Sequence, residues 1–166
     1  MIITQVIGNR ASTLLDGLRL EWLELEWFET SKRILRKKTA DGMEVAIRFL
    51  KEGHRLAHDD VLYMDQEKAV VVHIKLCDAI VMRPESLMEI GTLCYEIGNK
   101  HLPVFIQNEE VLIPYEEPIF RWLLTSGYKP TRQTRRLLNM LRSNVKPHDH
   151  GDGSLFSRVM KLTTQS

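Results

Sequence analysis

No stretch of this 166-residue chain is apolar for long enough to cross a bilayer, since runs such as Val70–Val72 fall far short of the roughly 18 residues that a spanning helix needs. The opening MIITQVIGNR also lacks a charged segment leading into an apolar one, so no secretory signal is read there and a cytoplasmic location is expected. An excess of one charge is missing as well. The 23 Lys and Arg stand against 22 Asp and Glu, and a formal net charge of +1 gives no overall field to recruit DNA or an anionic membrane. Cysteine is scarce: Cys77 and Cys94 form no CxxC pair, which argues against a disulfide framework or a thiolate zinc site and leaves both as small core residues. Signatures of catalysis are lacking too. There is no GxSxG, no HExxH and no EF-hand loop, and Gly91 with Gly98-Asn99-Lys100 has the wrong spacing for a phosphate loop. The chain is therefore not read as an enzyme.

What is present is a hydrophobic content of 43%, enough for a core, in a length suited to one domain or two small ones. Ile2 to Ile7 reads as a β-branched strand bounded by Gly8-Asn9. Leu20 to Trp27 alternates apolar residues with Glu21, Glu24 and Glu26, which predicts a strand with one solvated acidic face. Arg33–Thr39 and Met43–Phe49 flank Asp41-Gly42, a strong hairpin signal because both turn positions tolerate positive φ. Val61–Met64 and Ala69–Ile74 make a second hairpin, so residues 1–75 read as an all-β domain without a helix. From Leu76 the pattern changes. Ala79–Met82 reads as a strand, and Pro84 opens a helix with a buried stripe of Leu87, Ile90, Cys94 and Ile97, stopped by a left-handed Gly98-Asn99. A hairpin around Asn108, a helix from Pro118 to Gly127 burying Ile119, Phe120, Leu123 and Leu124, and a last strand within Tyr128–Leu138 complete the pattern. The fold class expected is α+β: the β domain, a ferredoxin-like βαββαβ domain over 76–146, and a flexible breaker-rich tail over 147–166.

Candidate chemistry rests on six histidines, because neutral imidazole is a good ligand for nickel, copper and zinc. His54 and His58 read as surface residues of a loop, and His73 as a partly buried strand residue. His101 follows a helix stop and precedes Pro103, which places it on a rigid corner near the surface. His148-x-His150 lies in a Gly-rich segment where two imidazoles could close on one ion. A single chain then offers at most three imidazoles to an ion that takes more ligands, but in a two-fold dimer a residue at the axis meets its own copy, and one histidine becomes a pair.

The segment Cys94-Tyr95-Glu96-Ile97-Gly98-Asn99-Lys100-His101 resembles the YEIGN[RK]H segment of the UreE family, the urease accessory nickel metallochaperones. Leu25-Glu26-Trp27-Phe28-Glu29 with Lys32-Arg33 is similar to that family's N-terminal stretch, and Gly42–Arg48 and Asp60–Tyr63 to its following strands. The likeness covers residues 1–140. It implies an N-terminal β domain for protein or peptide contacts and a ferredoxin-like domain for dimerisation. It further implies a homodimer that binds Ni(II) between the two copies of His101, with His148 and His150 helping to load or complete the site and Zn(II) or Cu(II) as further ions in vitro. The implied partners are the urease accessory GTPase and, through it, the complex on apo-urease. The sequence departs from histidine-rich members: it has no polyhistidine tail, and Tyr115-Glu116-Glu117-Pro118 carries carboxylates where some relatives have histidines.

A second reading starts from residues 121–146, which hold Arg121, Lys129, Arg132, Arg135, Arg136, Arg142 and Lys146 without an acid. That composition suits a protein- or RNA-binding module. Only Trp122 and Tyr128 are interleaved, too few aromatics for a base-stacking platform, so nucleic acid is the weaker expectation.

Overall fold

The computed structural model describes residues 1–50 and 53–141. The tail expected over 147–166, with His148 and His150, lies outside them. The chain runs through β1 (Ile2–Ile3), β2 (Gly8–Asn9), β3 (Arg19–Leu25), a 3₁₀ turn (Trp27–Ser31), β4 (Ile34–Lys38), β5 (Glu44–Arg48), β6 (Asp60–Met64) and β7 (Lys68–Ile74). Then follow β8 (Leu76–Met82), α1 (Leu87–Asn99), β9 (Phe105–Gln107), β10 (Glu110–Pro114), α2 (Glu117–Thr125) and β11 (Thr131–Arg136). The first seven strands form two sheets, ordered β1-β5-β4 and β2-β6-β7-β3, which close over a core including Leu23, Leu25, Val45, Ile47, Val70 and Val72.

The hairpin read at Asp41-Gly42 joins β4 to β5, and Gly42 takes φ +89°, a conformation that an L side chain strains to reach. The acidic strand face is different from the expectation. Glu24 is exposed, but Glu21 is only 2% exposed: it accepts hydrogen bonds from Arg19 (2.9 Å), Lys68 (3.1 Å) and the Thr39 hydroxyl (3.3 Å). Burial by itself would raise the Glu21 pKa, yet the hydrogen bonds from Lys68 and Arg19 and their charges outweigh it and hold the carboxyl below the ordinary range. The expected helix-free stretch also contains the 3₁₀ turn at Trp27–Ser31. There Glu29 closes a capping box on Glu26 and accepts a 2.5 Å bond from Lys37.

The second half forms one antiparallel sheet in the order β11-β8-β10-β9, which for strands joined as βαββαβ is the ferredoxin-like arrangement. Ile80, Met82, Val111 and Ile113 pack one face of it against Leu93 and Ile97 of α1 and Leu123 of α2. Its other face buries Ala79, Val81, Phe105 and Leu112 beneath Leu137, with Met140 alongside. Trp27 from the first half meets Phe105 edge-on at 5.6 Å. Two details of the helices differ from the sequence reading. Ser86, not Pro84, opens α1, because its hydroxyl accepts the Glu89 amide at 3.1 Å and satisfies an otherwise orphaned donor. Leu87 and Leu124 are exposed rather than buried, and Leu93 instead joins Ile97 in the core.

The basic stretch does not form one open patch. Acids reach its arginines: Arg121 pairs with Glu117 one turn earlier in α2 at 2.7 Å, and acids from other strands engage the next two, Asp78 pairing with Arg132 and Glu110 with Arg135 at 2.6 Å. Arg136 donates to the Ile74 carbonyl and contacts His73 Nε2 at 3.1 Å. Arg142 and Lys146 lie outside the described residues.

Candidate metal centre

His101 sits where α1 ends. Its own amide donates to Gly98 O at 2.9 Å, Lys100 N–H to Ile97 O at 3.1 Å, and Leu102 N–H reaches Ile97 O at 3.4 Å. These bonds resemble the wrapped C-terminus that normally ends on glycine. The left-handed residue here is His101 itself, at φ +57°, whereas Gly98 and Asn99 remain helical, which corrects the stop read at Gly98-Asn99. A β-carbon at such φ costs energy, so the turn projects an exposed imidazole from a constrained corner at the expense of local strain.

The surface leading to that corner is apolar. Leu87, Met88 and Tyr95 are 85%, 79% and 71% exposed, and at 3.6 residues per turn they share one side of α1 with Gly91 and Gly98. A β-carbon at either glycine would meet nothing within 4 Å, so this side presents bare backbone between large side chains. On the flank, the Lys100 ammonium lies 4.4 Å from the centre of the Trp122 ring, a cation–π contact that draws the positive charge toward α2. The sequence had offered Trp122 only as an aromatic within a basic stretch. The neighbouring Lys100 was the available signal.

Of the three candidate ligands, the structure places His101 alone, since His148 and His150 fall outside the described residues. Their attachment point is nevertheless defined. After β11 the chain crosses the sheet face through Leu137 and Leu138, bridges Met140 to Phe105, and donates Leu141 N–H to Val104 O at 2.7 Å. Val104 is three residues from His101. His148 is seven residue steps beyond Leu141, a reach of at most about 25 Å at full extension. Among the described residues, no three His, Cys, Asp or Glu side chains gather into a ready metal cage.

The remaining histidines are occupied otherwise. His54 is exposed beside Phe49, with ring centres 4.2 Å apart. His58 is half-buried rather than a surface residue: its Nδ1 accepts the Ile74 amide at 3.1 Å, and its ring meets His73 at 5.1 Å. Burial, helped by the Arg136, His73 and Arg10 charges and opposed by Asp59, lowers the His58 pKa.

The N-terminal domain profile of the UreE urease accessory protein matches residues 3–75, and the C-terminal domain profile matches residues 71–152. The chain belongs to the UreE family of urease accessory proteins. It is 53% identical over 163 residues to the urease accessory protein UreE of Flavobacterium johnsoniae, covering 98% of this chain and 99% of that relative. It is also 43% identical over 147 residues to UreE from a strain of Haemophilus influenzae, covering 86% of this chain and 80% of the relative. With UreE of Acetivibrio thermocellus it shares 37% identity over 150 residues, which cover 90% and 97%. Family membership makes the chain an accessory protein and not an enzyme. Among the described residues no helix is long and apolar enough to cross a membrane.

Proposed function

We propose that this chain is a cytoplasmic nickel metallochaperone of urease maturation. It binds Ni(II) between the His101 side chains of a homodimer and releases it through the urease accessory GTPase to the apo-urease complex. The observation that carries the reading is the exposed strip of Leu87, Met88, Gly91 and Tyr95 on α1, which leads to an exposed, conformationally constrained His101. A second copy of the same strip would cover it, its glycines allowing close helix approach, and would bring the two imidazoles to one axis. His148 or His150 would add donors from the tail. An open imidazole site suits a carrier better than a closed thiolate site, because closure must be reversible. Zn(II) and Cu(II) are expected to bind as well in vitro, since nickel does not lead the affinity order, so partner recognition supplies selectivity. In this reading residues 1–75 serve delivery, 76–146 bind metal and dimerise, and 147–166 load.

The test is calorimetric nickel titration combined with light scattering, on the wild type, His101→Ala, Tyr95→Glu and a truncation after Lys146. One tight ion per two chains is expected, abolished by His101→Ala and weakened by truncation. Tyr95→Glu should yield monomers that lose the tight phase. A nickel-binding monomer, or wild-type affinity in His101→Ala, would overturn the reading. The RNA-binding alternative receives no support from residues 121–136, where the four arginines are already engaged.

A further inference from the structure

The cations of the described residues are nearly all engaged by acids, carbonyls or rings. Arg36, Lys38, Arg48 and Lys129 are the four that make no such contact among the described residues. Three of those four share one surface. In the β4–β5 hairpin, Ile34 pairs with Arg48, Arg36 with Ala46 and Lys38 with Glu44, and alternation turns all six toward the same side, away from the core. Ile2 of β1 pairs with Ala46 and extends this side, so that Ile2 and Ile34, 66% and 63% exposed, sit among the cations. A groove of about 440 Å³ runs across it, lined in part by Met1, Ile2, Arg36, Lys38, Glu44 and Ala46, with the N-terminal ammonium held to Glu44 O at 2.9 Å.

Like charges on neighbouring positions of a sheet face repel, and among the described residues only Glu44 offsets them there. Charge on an edge strand can serve only to block strand pairing, which would account for Arg36 and Lys38 on β4. It does not account for Arg48 on the central strand β5 or for two exposed isoleucines beside it. We propose that this outer face of the β1-β5-β4 sheet is the docking surface for an acidic, extended segment of a protein partner. Carboxylates of the segment would pair with Arg36, Lys38 and Arg48, and its apolar side chains would cover Ile2 and Ile34. The mixture of exposed aliphatics with few cations and no aromatic ring favours a peptide over a nucleic acid, which would call for stacking side chains or a longer basic track.

The test is fluorescence anisotropy on the full chain with three labelled probes: a dodecapeptide of alternating Glu and Val, its Lys and Val counterpart, and a short mixed-sequence DNA duplex. Binding of the Glu–Val peptide is expected to weaken about tenfold in Arg36→Glu/Lys38→Glu/Arg48→Glu and to fall with added salt. It should be unchanged in Lys129→Glu, which removes the last of those four cations, in another part of the fold. Circular dichroism and nickel stoichiometry should stay at wild-type values throughout, so this outcome is independent of the His101 assignment. If the triple variant does not fold, Arg48→Glu alone should weaken the peptide about threefold. The proposal is overturned if the Glu–Val peptide does not bind, if it binds the triple variant as tightly as wild type, or if the Lys–Val peptide or the duplex binds equally well.

Discussion

Replacing His101 by glycine and by alanine should separate the strain at this corner from its function. The residue is exposed and its φ is +57°, and among the described residues its side chain makes no hydrogen bond or ion pair, so truncation removes few contacts. A β-carbon in the left-handed region costs about 1–2 kcal/mol, and glycine escapes that cost while gaining about 0.4–1 kcal/mol of unfolded-chain freedom. The difference favours His101→Gly over His101→Ala by about 1 kcal/mol. For a chain of this length that is roughly 2–4 °C in Tm. Urea unfolding at one fixed protein concentration, with m unchanged, should report the same ordering, and neither variant should retain tight nickel binding. Equal stability of the two variants would refute the claim that the corner is strained. A glycine variant that still bound nickel as wild type would refute the role assigned to the imidazole.

Trp122→Leu should release the Lys100 ammonium toward the neighbouring His101. A unit positive charge about 7 Å from a divalent ion in water costs about 1 kcal/mol, so nickel affinity should fall roughly fivefold and recover when Lys100→Met is added. Acid stability has two windows. Because the His58 pKa is lowered on folding, the unfolded chain binds the proton more readily, and stability should decline as pH falls below about 6.5. His58→Asn, whose Oδ1 can still accept the Ile74 amide, should flatten chemical-denaturation midpoints between pH 7 and pH 5, and an unchanged slope would remove His58 as the cause. The lowered carboxyls of Glu21, Glu29 and Glu110 contribute stability that is lost only further down, as pH falls below their ordinary range toward the folded values. Phe105→Ala, which removes a fully buried ring packed on Trp27, should cost about 3–5 kcal/mol in the same unfolding assay.

Local signals carried most of the fold. Asp41-Gly42 marked its hairpin because the turn needs a backbone that only a few residues adopt cheaply, and the strand–helix alternation after Leu76 was legible from periodicity alone. What escaped was set by partners distant in sequence. Glu21 read as a solvated acid because Lys68, which makes its burial tolerable, lies 47 residues away. The parallel pairing of β3 with β7 leaves no local trace. Residues 121–136 read as a basic patch because Asp78 and Glu110 come from other strands. His101 was legible as a corner, but periodicity could not say that the histidine, rather than a preceding glycine, would adopt the left-handed conformation. The unpaired cations of β4 and β5 were present as an every-second-residue pattern, whose meaning depends on knowing which other cations are neutralised.

The hydrogen bond from Leu141 to Val104 has a consequence for kinetics as well as geometry. It anchors Leu141 beside the strand that follows His101, so in the proposed function a tail imidazole would compete for the ion as an intramolecular ligand, at the millimolar effective concentration typical of a short tether. Such a ligand would let go and rebind many times before the ion diffused away. A recipient that captured the tail during one of those openings would remove a donor without first prising the proposed dimer apart, and transfer would then proceed through successive single-ligand exchanges. Lengthening the chain between Leu141 and His148 would dilute this local supply only gradually, roughly as the −3/2 power of tether length, whereas cutting it would abolish the supply at once.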